Sequence, residues 1–151
     1  MHVQSSIKWL KIASFTLIGF GIFSAISAHP SLNVLSRFFI SLAVWPFGEI
    51  SALIDMETRL LWAILGGITS GWGVMFWLLT TQMYETHYEK LRPIMLKAIL
   101  SWFIIDSLAS IASGAAFNAV LNLSFLALFL YPLSRPVQSG ETVANRQAKM
   151  S

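Results

Sequence analysis

Asp106 is the residue most able to do chemistry, and it stands in the middle of an apolar run. From Trp102 to Asn122 the chain reads WFIIDSLASIASGAAFNAVLN. Ser107, Ser110 and Ser113 follow the acid, then Gly114, then Asn118 and Asn122 at the head of the next apolar run. A bilayer interior penalises such groups, so an acid within a membrane-spanning segment is a functional-site hypothesis by default. Asp106, Ser110 and Ser113 share one face of a helix at i, i+4 and i+7, and Asn118 and Asn122 share a face by the same rule. Only Ser113-Gly114-Ala115-Ala116 separates the two runs, which makes the two helices antiparallel neighbours. Asp106 then lies roughly 10 Å below the turn, at 1.5 Å per residue. The expected result is a polar pocket in the outer half of a helix bundle, with His29 near its mouth.

The chemistry such a pocket suits is binding of a proton or cation at Asp106, or of a small polar ligand. The candidate residues are Asp106, Ser107, Ser110, Asn118, Asn122 and His29. A purely structural alternative stands beside this one. Serine hydroxyls and asparagine amides that satisfy a buried acid act as interhelical glue, worth about 0.6–2 kcal/mol per contact. Asn118 has a further alternative as the cap of the last helix.

The elements that must carry these residues follow from composition. The chain has 151 residues, 56% of them hydrophobic and 11% charged, with a mean hydropathy of +0.67. Residues 9–28, 60–81, 94–113 and 117–133 are each near the ~20 apolar residues that a spanning helix needs. Helices are the form expected, because in lipid every backbone N–H and C=O must be satisfied within its own segment. We therefore expect an all-α fold. It is a single integral membrane domain, residues 1–133, built as a bundle of four transmembrane helices with a polar cytoplasmic tail at 134–151.

The first apolar run reads as a retained anchor, since residues 12–28 exceed the roughly 7–15 residues of a signal-peptide core. His29-Pro30 ends it. An external loop is expected over 30–59. Within it, residues 36–54 fit a fifth span, a re-entrant piece or an interfacial helix. Four spans with the N-terminus inside place Lys8, Lys11, Lys90, Arg92, Lys97, Arg135, Arg146 and Lys149 on the cytoplasmic side, against Arg37 and Arg59 outside. Five spans give a weaker bias, so the positive-inside rule favours four, with both termini cytoplasmic.

Gly66, Gly67, Ser70, Gly71 and Gly73 supply small-xxx-small pairs for close helix packing. Trp62 and Trp77 suit the aromatic belts at the two ends of their span; Trp72, in mid-span, does not. Residues 82–93 are polar and read as a loop, with Pro93 in the first turn of the third span.

Several function classes are excluded or left without residues. With no cysteine there is no disulfide, thiolate nucleophile or cysteine-ligated metal. The net charge of +3 flanks apolar runs and so serves topology, not nucleic-acid binding. Glu85, His87 and Glu89 offer too few converging ligands for a metal site. His2, His29 and His87 lie outside the apolar runs, so haem ligation between spans has no residues, and no cofactor is expected.

Gly66-Gly67, Gly71-Trp72-Gly73, Trp102-Phe103, Asp106-Ser107, Ser110-Ile111, Gly114, Asn118, Asn122 and Pro132-Leu133 together resemble a group of small four-span bacterial inner-membrane proteins without an assigned function. The resemblance covers residues 60–136. It implies a bacterial inner-membrane location and a four-helix membrane domain, and it implies no activity. The function expected is therefore non-enzymatic: an accessory or assembly subunit, or a small-ligand-binding protein, with the lipid bilayer and a second copy or another membrane protein as partners. The alternative is a small proton- or cation-coupled transporter in which Asp106 titrates.

Overall fold

The computed structural model describes residues 3–46 and 55–134. Expectations for 47–54 of the external loop, for the tail beyond Ser134 and for His2 lie outside the described residues. The described chain is helical apart from short turns, with no strand among these residues. Helix α1 spans Val3–Ser27, α2 Asn33–Val44, α3 Met56–Leu78, α4 Tyr84–Ala112 and α5 Ala116–Ser134. A 3-10 turn, Pro30–Leu32, precedes α2, and a π-helical turn, Leu79–Met83, joins α3 to α4 without a break.

Three continuous helical stretches are long and apolar enough to cross a membrane: Val3–Ser27, Met56–Ala112 and Ala116–Ser134. The middle one has 57 residues. Straight, it would run about 85 Å, nearly three times the ~30 Å of a hydrocarbon core. It does not run straight. The rings of Trp72 and Trp102 lie 5.7 Å apart between centroids, whereas thirty residues of unbroken helix separate two positions by about 45 Å.

The chain reverses across the π turn, where Met83 (φ −126°, ψ −24°) and His87 (φ −127°, ψ 24°) leave helical geometry. The loop expected over 82–93 is thus helix on both sides of a kink. Its residues explain this: it holds no glycine, and glutamate, lysine, leucine and methionine sustain helix wherever sterics allow. Pro93 falls within α4, past the kink and not in the first turn.

α1 packs chiefly against α3, and α4 against α5. The α1–α3 seam is built from small residues. Ala13, Ser14, Gly21, Ser24 and Ser27 are buried on α1, where Ser14, Ser24 and Ser27 donate to the carbonyls four residues back and so carry no unmet hydroxyl into the seam. A Cβ on Gly21 would lie 2.4 Å from the Ser70 backbone nitrogen, and one on Gly66 2.4 Å from that of Ala25. Gly73 meets Ile18 in the same way, at 2.8 Å. Gly67 and Gly71 face elsewhere: a Cβ there would meet nothing within 4 Å.

One end of the bundle gathers the start of α1, the α3–α4 bend and the end of α5. Gln4 donates to Glu85 at 2.8 Å, the Lys11 ammonium lies 6.0 Å from the Trp77 ring centre, and Trp9 meets Tyr131 at 5.2 Å. Arg92 donates to the carbonyls of Leu133 and Ser134, capping α5 with a cation at the negative end of its dipole. The tightest core sits in this half, with Leu10, Phe76, Tyr84, Met95, Ile99, Phe129 and Leu133 all buried. Outward faces are apolar too, Phe15, Leu61 and Ile105 among them at 65–69% exposure.

The other end holds the 3-10 turn, α2 and the start of α3. Asp55 caps α3 by accepting from the Thr58 amide at 2.7 Å. Hydrogen bonds from the Thr58 side chain and backbone hold its carboxyl below the usual value. α2, with 12 residues, is about 18 Å long and too short to be a span. It lies over the gap between the two helix pairs, where Phe39 touches Phe20 at 5.1 Å and Trp45 meets Phe117 at 5.3 Å.

Candidate functional site

The α4–α5 hairpin is fixed by a Schellman turn. The Ala115 amide donates to Ser110 O (2.9 Å) and the Gly114 amide to Ile111 O (3.1 Å). This geometry puts Gly114 at φ 87°, a backbone region that glycine enters without steric cost. The turn sets the register of everything below it. With 106/110 on one helix and 118/122 on the other, antiparallel pairing brings each polar residue opposite a partner.

Two rungs result. Asn118 Nδ2 donates to Ser110 Oγ at 2.9 Å, and one helical turn deeper Asn122 Nδ2 donates to Asp106 Oδ2 at 2.6 Å. Asn122 also reaches Ser107 Oγ at 3.5 Å, a longer and weaker contact. An ionised carboxylate only accepts, so the asparagine must turn its NH₂ towards Asp106. Ser107, Ser110 and Asn122 are buried, while Asp106 and Asn118 are partly exposed. Asn118 lies in the first turn of α5, but its side chain crosses to α4 instead of capping its own helix.

Asp106, Asn118 and Asn122 open onto a cavity of about 350 Å³ between the two helix pairs, with Phe39, Ile40 and Ala43 of α2 as one wall. Thr69 adds a hydroxyl from α3, and most of the remaining lining is apolar or aromatic. Ser113, on the expected polar face of α4, and His29, an expected member of the site, are elsewhere. Ser113 is exposed, and its hydroxyl returns to Ser110 O at 2.9 Å. His29 is exposed at the head of the 3-10 turn, where Nδ1 accepts from the Ser31 amide at 3.3 Å, and it does not line the cavity.

Sequence reasoning missed the aromatic wall. Trp62, Phe39, Phe20, Phe125, Trp102 and Trp72 all line the cavity, and each touches the next at centroid separations of 5.1–6.5 Å. The contacts are tilted or edge-on, at 59–82° between planes, the arrangement that ring quadrupoles favour. They link all five helices, starting and ending on α3. One signal was legible: Trp72 lay at mid-span, where no interfacial belt accounts for it.

The arrangement can hold a molecule with an apolar body and one polar or charged end. Asp106 Oδ2 takes the Asn122 amide, and Oδ1 takes no hydrogen bond from any described residue. The carboxylate thus retains accepting capacity on the cavity side. No group of three or more histidine, aspartate or glutamate side chains placed to hold a metal occurs among the described residues. No family model, curated protein or solved structure matches the chain.

Proposed function

We propose that this chain is a non-enzymatic integral membrane protein that binds a small amphipathic molecule in the cavity between its two helix pairs. The observation that carries the reading is the cavity itself. Its volume of about 350 Å³ falls in the range of small-molecule sites, which pair mostly apolar walls with a few placed polar groups. Here those groups are Asp106, Asn118 and Asn122.

The membrane setting rests on the three long apolar helices and on the apolar residues they turn outward. In this reading α1, α3, α4 and α5 are four crossings and α2 lies at the outer interface. The return of α4 beside α3 supports it. Lys8, Lys11, Lys90 and Arg92 fall towards the end that holds the bend, and Arg37 and Arg59 towards the other. The positive-inside rule then makes the bend end cytoplasmic, and the resemblance over residues 60–136 implies the bacterial inner membrane.

A second reading, a proton- or cation-coupled transporter, has one observation in its favour. The Asp106 carboxylate lines the cavity with a single strong hydrogen-bond donor, which leaves it capacity to pair with a cation. The test of both is purification of a tagged copy in mild detergent, with mass spectrometry of whatever small molecules and proteins accompany it. A bound small molecule that Asp106→Asn releases supports the binding reading. A stoichiometric partner protein and an empty cavity would replace it with an assembly role. Proton-dependent uptake into vesicles that Asp106→Asn abolishes would favour transport.

A further inference from the structure

The lining of the cavity narrows the chemistry of its occupant, and this step rests on reading the cavity as the binding site. An ionised carboxylate has room for about four hydrogen bonds. Asp106 receives one strong one, from Asn122, and a marginal neighbour in Ser107, which bonds the same amide. Among the described residues, no lysine, arginine or histidine lines the cavity and no ion pair reaches Asp106. A carboxylate with so few donors in largely apolar surroundings has its charged form favoured when a positive charge comes to it.

A small inorganic cation is a poor match. Calcium takes six to eight oxygen ligands and magnesium a near-ideal octahedron, whereas among the described lining residues side-chain oxygen comes from Asp106, Asn118, Asn122 and Thr69. The rest of the lining suits a cation that carries its own apolar bulk. Trp62, Trp72 and Trp102 stand in the wall with three phenylalanines. Tryptophan is the best cation–π partner, and the effect strengthens when the pair is away from water. The rings meet edge-on or tilted, with none of these contacts stacked face to face.

We propose that the cavity binds a lipophilic organic monocation, an ammonium with apolar or aromatic substituents. Its charge sits against Asp106 and its bulk lies among Trp72, Trp102 and Phe125. Asn122 holds the carboxylate at the cavity wall, and Asn118, braced on Ser110, completes the polar side.

The test uses the full chain in lipid nanodiscs and two probes of one shape, phenyltrimethylammonium and its neutral isostere tert-butylbenzene. Binding is measured by calorimetric titration, corrected for uptake by empty nanodiscs. Saturable binding of the cation, tighter than that of the isostere by roughly tenfold or more, is expected, since the isostere lacks the charge for which Asp106 and the rings select. Asp106→Asn should weaken the cation by roughly thirtyfold or more and leave the isostere unchanged. Trp102→Leu should weaken the cation by roughly three- to thirtyfold, more than the isostere.

Equal binding of both probes, indifferent to Asp106→Asn, overturns the cation proposal and leaves the ligand cavity standing. Failure of both probes, with no protection of Trp102 from a collisional quencher, overturns the cavity reading as well. The comparison of probes on the unmodified chain decides the matter even where Asp106→Asn fails to fold.

Discussion

Adding one methyl group at Gly66 should loosen this bundle, and adding the same group at Gly67 should not. A Cβ on Gly66 would lie 2.4 Å from the Ala25 nitrogen and 2.6 Å from the Gly21 carbonyl oxygen. Both are backbone atoms, so no side-chain rotation can relieve the clash. Ordinary contact begins at 3.4 Å, so α1 and α3 would have to separate by about 1 Å at the crossing. Overpacking of this kind costs about 1–3 kcal/mol. The same displacement loosens the neighbouring close contacts, Gly21 on Ser70 and Gly73 on Ile18, so we expect a value near 2–3 kcal/mol for Gly66→Ala.

Gly67 has open space where its Cβ would go. Alanine there brings only its better helix propensity, at most about 1 kcal/mol in the stabilising direction. Unfolding in a titration with a denaturing detergent, followed by far-ultraviolet circular dichroism, reads both variants on one scale. A Gly66→Ala protein as stable as the parent, or a Gly67→Ala protein equally damaged, would mean that the α1–α3 crossing is wrong.

Asn122→Ala removes the strong donor to Asp106 and should cost about 1–3 kcal/mol in the same assay. In a double-mutant cycle most of that loss should disappear once Asp106→Asn has removed the charge. Arg92→Met should fray the end of α5 by about 0.5–2 kcal/mol, seen as faster amide exchange near Phe129–Leu133, because the final carbonyls lose both donor and cation. Asp55→Ala should weaken the start of α3 in a pH-dependent way. The folded pKa of Asp55 is lowered from 3.8, so its contribution is fully present above that value and is lost as the pH falls through the folded value. The stability difference between parent and Asp55→Ala should therefore be present at pH 7 and disappear in strong acid. A difference that grows on acidification would contradict the cap.

The polar ladder was legible because its information is local. Asp106 and Ser110 are four apart, Asn118 and Asn122 are four apart, and a glycine turn between them leaves one antiparallel register. Which face met the cavity was less legible. Ser113 satisfies the same spacing as Ser110, yet it stands beside the turn, where α5 has only begun to pair. His29 follows the first apolar run and so stands at the outer end of the bundle, but the 3-10 turn uses its ring nitrogen locally.

Among the glycines, pattern could not separate 66 from 67. Both begin a small-xxx-small pair, and only the rotation of α3 against α1 decides which pair is covered. The reversal near His87 falls within the loop expected over 82–93, but its helical form was not legible, because a π turn and a kink do the work of the loop. The aromatic wall draws one or two rings from each of five helices, so no single stretch contains its signal. Trp72 alone stood out, as a tryptophan without an interface to sit at.

The claim on which the rest depends is that α3 and α4 fold back so that Trp72, Trp102, Asp106 and Asn122 surround one cavity. The chain has no cysteine, so a pair of spin labels can be placed without background. Ile64 and Ile105 are exposed and adjoin Leu65 and Asp106, which line the same cavity. Pulsed electron-spin measurement between labels at these two positions in nanodiscs should give a distance of roughly 20–30 Å, two to three helix diameters. An unbroken helix from α3 into α4 would put them about 60 Å apart, and a distance near that value would contradict the fold-back and the cavity with it.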